Sequence, residues 1–424
     1  MKGAFRSLAV FNYRLWAAGA LVSNIGTWMQ RVAQHWLVLT QLTAHNAAAV
    51  GIVMSLQYGP QLVLLPWTGH AADHLDRRKL LIATQALLGA LAFGLGVLTT
   101  AGTVALWHVY LFALLFGCVT AFDAPARHTF VAELVGDANL SNAVALNSTS
   151  FNAARMIGPA VAGICIAALG TGWAFMINGV SFVAVVGSLL FLRQQELHRH
   201  DRGGRAGSGM LEGFRYVWHR PDLRAILVML FLIGTFGLNF QIFISTMAVS
   251  VFHVNAAAYG MLTSTMAVGT IAGALLAAGR ERPRFELLWI GTAAFGTGCA
   301  IAALMPNPLL FGAALIPVGV ASLTITNSSN SLMQLATEPA MRGRVMAIRL
   351  AIVLGATPLG APLVGWTADR FGPRCGLGVG AASGFVAAIV GLIYLYRHHE
   401  LRVRVDRGRL RVSRAGDPGC AARP

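Results

Sequence analysis

Long apolar runs alternate with short polar breaks along nearly the whole chain. Twelve runs stand out, near residues 15–40, 47–69, 80–99, 104–125, 139–168, 172–192, 223–250, 256–278, 286–305, 308–330, 343–368 and 374–396. A helix needs about 20 residues to cross the hydrocarbon core of a bilayer, and each run is about that length or longer. Several are rich in Gly and Ala, which lets helix backbones approach closely in lipid. The pattern predicts an all-α membrane protein of about twelve transmembrane helices. The first run is long, polar on one stripe and followed by many more spans, so it is not expected to be a cleaved signal peptide.

Composition agrees. Hydrophobic residues make up 56% of the 424, and Asp, Glu, Lys and Arg together only 11%. A soluble chain carries about 25% charge, and a globule with so few charges has too little polar surface to face water all round. The net charge of +16 is placed unevenly. Lys2, Arg6 and Arg14 precede the first run, Arg77, Arg78 and Lys79 follow the second, and Arg127 follows the fourth. Six arginines from Arg193 to Arg220 fill the longest loop. Arg280, Arg282 and Arg284 follow the eighth run, Arg342 and Arg344 the tenth, and Arg397, Arg402 and Arg404 open the tail. With twelve spans all of these lie on one side, and five of the opposite loops hold no Lys or Arg. Basic loops stay in the cytoplasm, so both termini are expected there, in a cell (inner or plasma) membrane. Nucleic acid is then not needed to explain the charge, and the lipid bilayer is the expected partner of a monomer. The loop with Asp369, Arg370 and Arg374 breaks the pattern.

The five cysteines form no Cys-x-x-Cys pair, and Cys118, Cys165 and Cys299 fall inside apolar runs. They read as small apolar filler rather than as a metal or disulfide framework.

The chain repeats itself. Asn46-Ala47-Ala48-Ala49-Val50-Gly51 opens the second run, and Asn255-Ala256-Ala257-Ala258-Tyr259-Gly260 opens the eighth, 209 residues on. Gly158-Pro159-Ala160-Val161-Ala162-Gly163 in the fifth run matches Gly360-Ala361-Pro362-Leu363-Val364-Gly365 in the eleventh, 202 residues on. Both matches set span n on span n + 6, which makes the repeat parallel. The expected units are an N-terminal six-helix bundle over 1–192, a basic linker over 193–222, a C-terminal bundle over 223–396 and a basic tail over 397–424. That tail reads as a disordered, lipid-facing extension.

Gly69-His70-Ala71-Ala72-Asp73-His74-Leu75-Asp76-Arg77-Arg78-Lys79 resembles the loop 2–3 signature GxxxD(R/K)xGRR(R/K) of the major facilitator superfamily, with His74 in place of a basic residue and Asp76 in place of Gly. The segment from Arg155 to Gly163 resembles the superfamily's fifth-helix antiporter motif. Gly26-Thr27-Trp28-Met29-Gln30-Arg31-Val32-Ala33-Gln34, Phe122-Asp123-Ala124-Pro125-Ala126-Arg127 and Arg342-Gly343-Arg344-Val345-Met346-Ala347 resemble the enterobactin-exporter-like branch, the transmembrane secretion effectors. The resemblance covers roughly residues 5–396. It implies two bundles rocking about a central cavity. It also implies gating by Asp73 and Arg77, joined by Asp123, and a proton gradient as energy source with no cofactor. Gly69 and Arg78 belong to the same signature; Gly158, Pro159 and Gly163 suggest a tightly packed, kinked helix that resists leak.

The residues themselves supply cavity candidates. Asn24, Thr27, Arg31, Gln34 and His35 recur at helical spacing on the first span, and an arginine facing lipid costs several kcal/mol. In relatives an Asp commonly stands at the position of His35; an imidazole titrates near neutrality but with the opposite charge logic. Ser148, Asn152 and Arg155 share a face of the fifth span, and Arg155 suits an anionic cargo group. Gln57, Gln61, Asn239, Gln241 and Arg349 are further candidates. The sequence Gly365-Trp366-Thr367-Ala368-Asp369-Arg370-Phe371-Gly372 imitates the loop 2–3 signature one span too late, and reads as a helix stop and turn.

No Walker A, HExxH or GxSxG sequence occurs, so an enzyme is not expected. The leading expectation is a secondary active transporter exporting small molecules (siderophore, drug or secondary metabolite) by proton-coupled alternating access. A passive or inward-directed carrier is the alternative, and a non-transporting scaffold or sensor a third reading.

Overall fold

The computed structural model describes residues 3, 5–198, 210–278, 285–397, 402–406 and 409–413. The first half comprises α1 (Phe11–Leu37), α2 (Ala47–Val63), α3 (Leu65–His74), α4 (Arg77–Thr100), α5 (Leu106–Val135), α6 (Asp137–Leu169) and α7 (Thr171–Leu190). After α8 (Met210–His219) the second half follows, with α9 (Pro221–Leu232), α10 (Phe240–Thr246), α11 (Ala256–Ala278), α12 (Phe285–Leu304), α13 (Pro308–Ala336), α14 (Pro339–Phe371) and α15 (Pro373–Arg397). The π-turn Ile233–Gly237 lies between α9 and α10, and a second, Met247–Val251, extends α10, so that together they form one span, Pro221–Val251.

Among the described residues ten helices are long and apolar enough to cross a membrane by length and composition alone. The first two expected spans fall short for local reasons. The span formed by α1 carries the polar stripe. The next is divided at Leu64, where Pro66 has no N–H with which to continue the helical ladder. With those two, the twelve-span architecture holds. The tail departs from expectation, because Arg402–Asp406 pairs antiparallel with Arg409–Ser413. Alternating Arg and Val or Leu in both segments gives the period of two that a strand requires.

Helix boundaries follow local chemistry. Asn46, Asp76, Asn255 and Asn307 each accept a hydrogen bond from the backbone N–H three residues on, satisfying donors that a helix start leaves open. Gly136 (φ 65°) and Gly170 (φ 92°) let successive spans reverse with no intervening loop.

The two ends of the bundle differ. At the basic end the first half has a core of its own, built on Tyr13, Trp16, Phe130, Leu134, Val185 and Leu189 and, among the described residues, containing none of the second half. Tyr13 Oη donates to the Ala143 carbonyl at 2.8 Å, and the Asn12 side chain pairs with the backbone of Arg193. On the second half, α8 lies against α14 through Gly213, buries Val217 and exposes Leu211, Phe214 and Trp218. Linker residues 199–209, the Arg280–Arg284 loop and the tail beyond 413 lie outside the described residues.

The halves meet along two seams, α2 on α14 and α6 on α11. Each is built from the repeated hexapeptides, packed crosswise. Gly51 faces the backbone of Ala361 and Pro362, while Gly365 faces Ala47 and Ala48. Gly260 faces the Pro159 carbonyl and Gly163, while Gly163 faces Ala256 and Ala257. Ser55 Oγ donates to the Pro358 carbonyl at 2.6 Å, and Ser264 Oγ to the Met156 carbonyl at 2.7 Å. Both seams start at the charge-poor end. They reach Leu62 and Gly355 on one side, and Arg155 and Thr270 on the other. A larger apolar cluster draws on both halves: it holds Leu37, Val38, Leu39, Phe243, Ile244 and Met247 and runs through the second half as far as Val217 and Val345.

Candidate functional site

Between the halves lies a cavity of about 320 Å³. The face of α1 contributes Trp28, Arg31, Val32 and His35, and α2 contributes Met54 and Tyr58. The opposite wall comes from Leu238, Phe240 and Gln241 around α10, and from the face of α11 running from Tyr259 to Thr270. Arg155 of α6, Ser322 and Thr326 of α13 and Thr357 of α14 complete it.

Its electrostatics are one-sided. The Arg31 guanidinium carbon lies 4.6 Å from the ring centroid of Trp28 and 5.5 Å from that of Tyr58, close enough for cation–π attraction. Its Nε is buried without a hydrogen-bond partner. Arg155 donates to Thr270 Oγ1 across the α6–α11 seam. His35 is fully buried beside them, with Nε2 unpartnered. Arg349 stands behind the wall, donating to the Thr326 carbonyl at 3.3 Å, with its own Nε unpartnered. Among the described lining residues there is no Asp or Glu. Fixed positive charge in a low-dielectric pocket attracts an anion far more strongly than it would in water.

Gln241 Nε2 donates to Tyr58 Oη at 3.4 Å, and Trp36 stacks on Tyr259 at 5.9 Å between centroids. Both contacts join one half to the other beside the cavity.

Of the residues expected in the cavity, Arg31, His35, Arg155 and Gln241 line it, and Arg349 reaches its wall. The others sit elsewhere. Asn24 lies toward the basic end, its Oδ1 accepting from Arg127 at 3.2 Å. Gln34 is turned toward α4 and α5, in a small recess with Gln30, Leu95 and Phe116. It is one residue from His35 and so about 100° round the helix. Gln57 is buried with both side-chain polar atoms unpaired, and Gln61 is half-buried outside the lining. Ser148 is exposed and offers its carbonyl to the Asn152 amide. Asn239 donates to the Thr235 carbonyl within its own broken span.

The gating candidates tie helices within the first half. Arg77 pairs with Glu133 at 2.5 Å, and Arg78 donates to the Leu189 and Leu190 carbonyls at the end of α7. Asp123 accepts from Thr84, Gln85 and Arg127. Gly69, the first residue of the loop 2–3 signature, packs on no neighbouring helix and faces open space. The Asp73 side chain lies outside the described ones. Gly158 does pack closely, on the α1 backbone at Ile25 and Met29.

Sequence reasoning missed Trp28, Tyr58 and Tyr259. The signal existed: Trp28 precedes Arg31 by three residues, and Tyr259, Thr263, Met266 and Thr270 recur at helical spacing on α11.

Comparison with known proteins agrees with this architecture. The chain is 29% identical to the multidrug efflux pump Tap of Mycolicibacterium fortuitum, over 83% of this chain and 88% of that one. It is 24% identical to the staphyloferrin A transporter of Staphylococcus aureus, over 82% and 87%. It is 26% identical to the enterobactin exporter EntS of Citrobacter koseri, over 86% and 87%. Among solved structures, the nucleoside transporter NupG superposes with a TM-score of 0.71 at 14% identity, over 91% of this chain and 99% of that one. A bacterial homolog of the human lysosomal transporter Spinster, inward-facing and unoccupied, gives 0.69 at 14%, over 93% and 96%. The family described as Transmembrane secretion effector matches residues 4–407. The chain is therefore a multi-pass membrane transporter rather than an enzyme, and it belongs to the transmembrane secretion effector family of the major facilitator superfamily.

Proposed function

We propose that this transporter exports small amphipathic anions from the cytoplasm by alternating access, in exchange for protons. One observation carries the reading: a cavity between the halves holds Arg31 and Arg155 against aromatic walls, with no carboxylate among its described lining residues. The two guanidinium groups supply hydrogen bonds and charge for an anionic group. Trp28, Tyr58, Tyr259 and Phe240 take up the apolar body.

The basic end faces the cytoplasm on this reading, since Lys and Arg gather there. The seams hold the charge-poor end together, so cargo enters from the basic end and leaves after the halves rock. Relatives named as an enterobactin exporter and a multidrug efflux pump support outward movement. Asp73 and Arg77 gate the basic end, and His35 and Asp123 are the two groups proposed to take up the proton. Arg349 acts on cargo choice through the Thr326 wall.

The test is purified protein in liposomes under an imposed pH step, with a panel of siderophores, dyes and antibiotics of both charge signs. Anionic members are expected to move against their gradient, and an uncoupler to abolish it. Preference for cations would overturn the cargo class, and movement unaffected by the uncoupler would mark a passive carrier. His35→Gln is expected to diminish pH-driven transport; undiminished transport leaves Asp123 as the remaining candidate.

A further inference from the structure

We propose that Asp369 is a gating residue whose carboxylate clasps the charge-poor end shut by capping α2 from the opposite half. The inference rests on the alternating-access reading above. Asp369 Oδ1 accepts from the Ala47 N–H at 2.6 Å, and Oδ2 from the Ala48 N–H at 2.8 Å. Asn46 accepts from Ala49, so the first three donors of α2 are all satisfied, two of them by the other half. A carboxylate there meets the positive end of the helix dipole, and its hydrogen bonds are charge-assisted.

Neither half needs this contact to form its own helix. Asn46 already caps α2, and α14 ends at Gly372 (φ 94°), where the chain turns. Asp369 is exposed, beside a recess of about 340 Å³ bordered by His45, Asn46, Ser250 and Pro373. Water can thus take over its hydrogen bonds when the halves part, which suits a contact that must break and re-form. The other seam supplies the comparison. At the repeat-equivalent position, 202 residues earlier, stands Ala167, also exposed. One junction is latched by charge and its twin is not. The latch also gives a role to the one charged loop at the end where charge was not expected.

The test reads conformation directly, without cargo or a proton gradient, so its failure is separable from failure of the export reading. Spin labels at Thr103→Cys and Leu309→Cys, both exposed at the charge-poor end, are placed in full-length protein carrying Cys118→Ala, Cys375→Ser and Cys420→Ser. Their distance distribution is measured by pulsed electron resonance in lipid nanodiscs. Asp369→Ala is expected to raise the long-distance fraction at least about threefold, a change of the size that a helix-terminal charge contributes. Asp369→Asn, which keeps the shape and one acceptor, should give a smaller rise and serves if the alanine variant does not fold. Ala167→Asp added to Asp369→Ala should restore the short distance by capping α11 instead. An unchanged distribution in both Asp369 variants would overturn the proposal. So would a rise that Ala167→Asp leaves untouched, since that result assigns the effect to general loosening of α14.

Discussion

The two seams are copies of one design that have diverged in chemistry. In both, Asn caps the entering helix, Gly meets the opposite backbone, and Ser donates to a carbonyl at the same repeat position. Three of the differences bear on charge or on the cavity. Asp369 on the α2–α14 seam corresponds to Ala167 on the other. Arg155 and its partner Thr270 on the α6–α11 seam correspond to Thr357 and Gln61. Tyr58, which faces Arg31, corresponds to Ala267. Packing was kept on both sides, whereas charge was assigned once: an anion to the rim of one seam, a cation to the cavity end of its twin. The shared elements hold the halves together, and on the export reading the unshared ones set what is carried.

This comparison can be broken at its strongest point first. Gly51→Val and Gly260→Val each drive a side chain into a carbonyl oxygen of the other half. Overpacking of this kind costs about 1–3 kcal/mol, and transport should be lost in both to the same degree. Thermal unfolding and liposome uptake measured side by side decide it; tolerance at one site alone would mean that the seams are not equivalent.

Next in size is Arg155→Gln, expected to weaken binding of an anionic cargo about 10–100-fold, since a hydrogen bond to a charged group is worth roughly 1.5–3 kcal/mol. Thr357→Val, its twin, should change affinity less than about tenfold, because it removes one neutral hydroxyl worth about 1 kcal/mol. Equal effects in a binding titration would erase the division of labour. The smallest expected change is from Ser55→Ala and Ser264→Ala, each about 1 kcal/mol of stability. The two should match within error in a denaturation series.

Much of this was legible in the chain. Run length and the spacing of basic clusters gave the span count, and the paired hexapeptides gave the repeat. What the hexapeptides did not reveal is that they touch each other crosswise; correspondence in sequence carries no information about contact. The cavity was half legible. Arg31 and His35 stand one helical turn apart, so spacing brought them together. Asn24 shares their face but lies about two turns nearer the basic end, where Arg127 of α5 claims it. Asn239 looked like a cavity residue because polar groups in a span usually need water; the π-turn before it frees a carbonyl at Thr235 that serves instead. Asp369 was read only as part of a helix stop, since its partners are backbone amides 322 and 321 residues away.

The glycine seams have a mechanical consequence. Backbone pressed on backbone without long side chains gains its attraction over a very short range; a gap of 0.5–1 Å already forfeits about a quarter to a half of a contact's dispersion energy. Where glycine meets the opposite backbone, no flexible side chain stretches across a partial opening. On the alternating-access reading these contacts are either engaged or released, so the halves would pass between two positions by a snap rather than by a graded hinge.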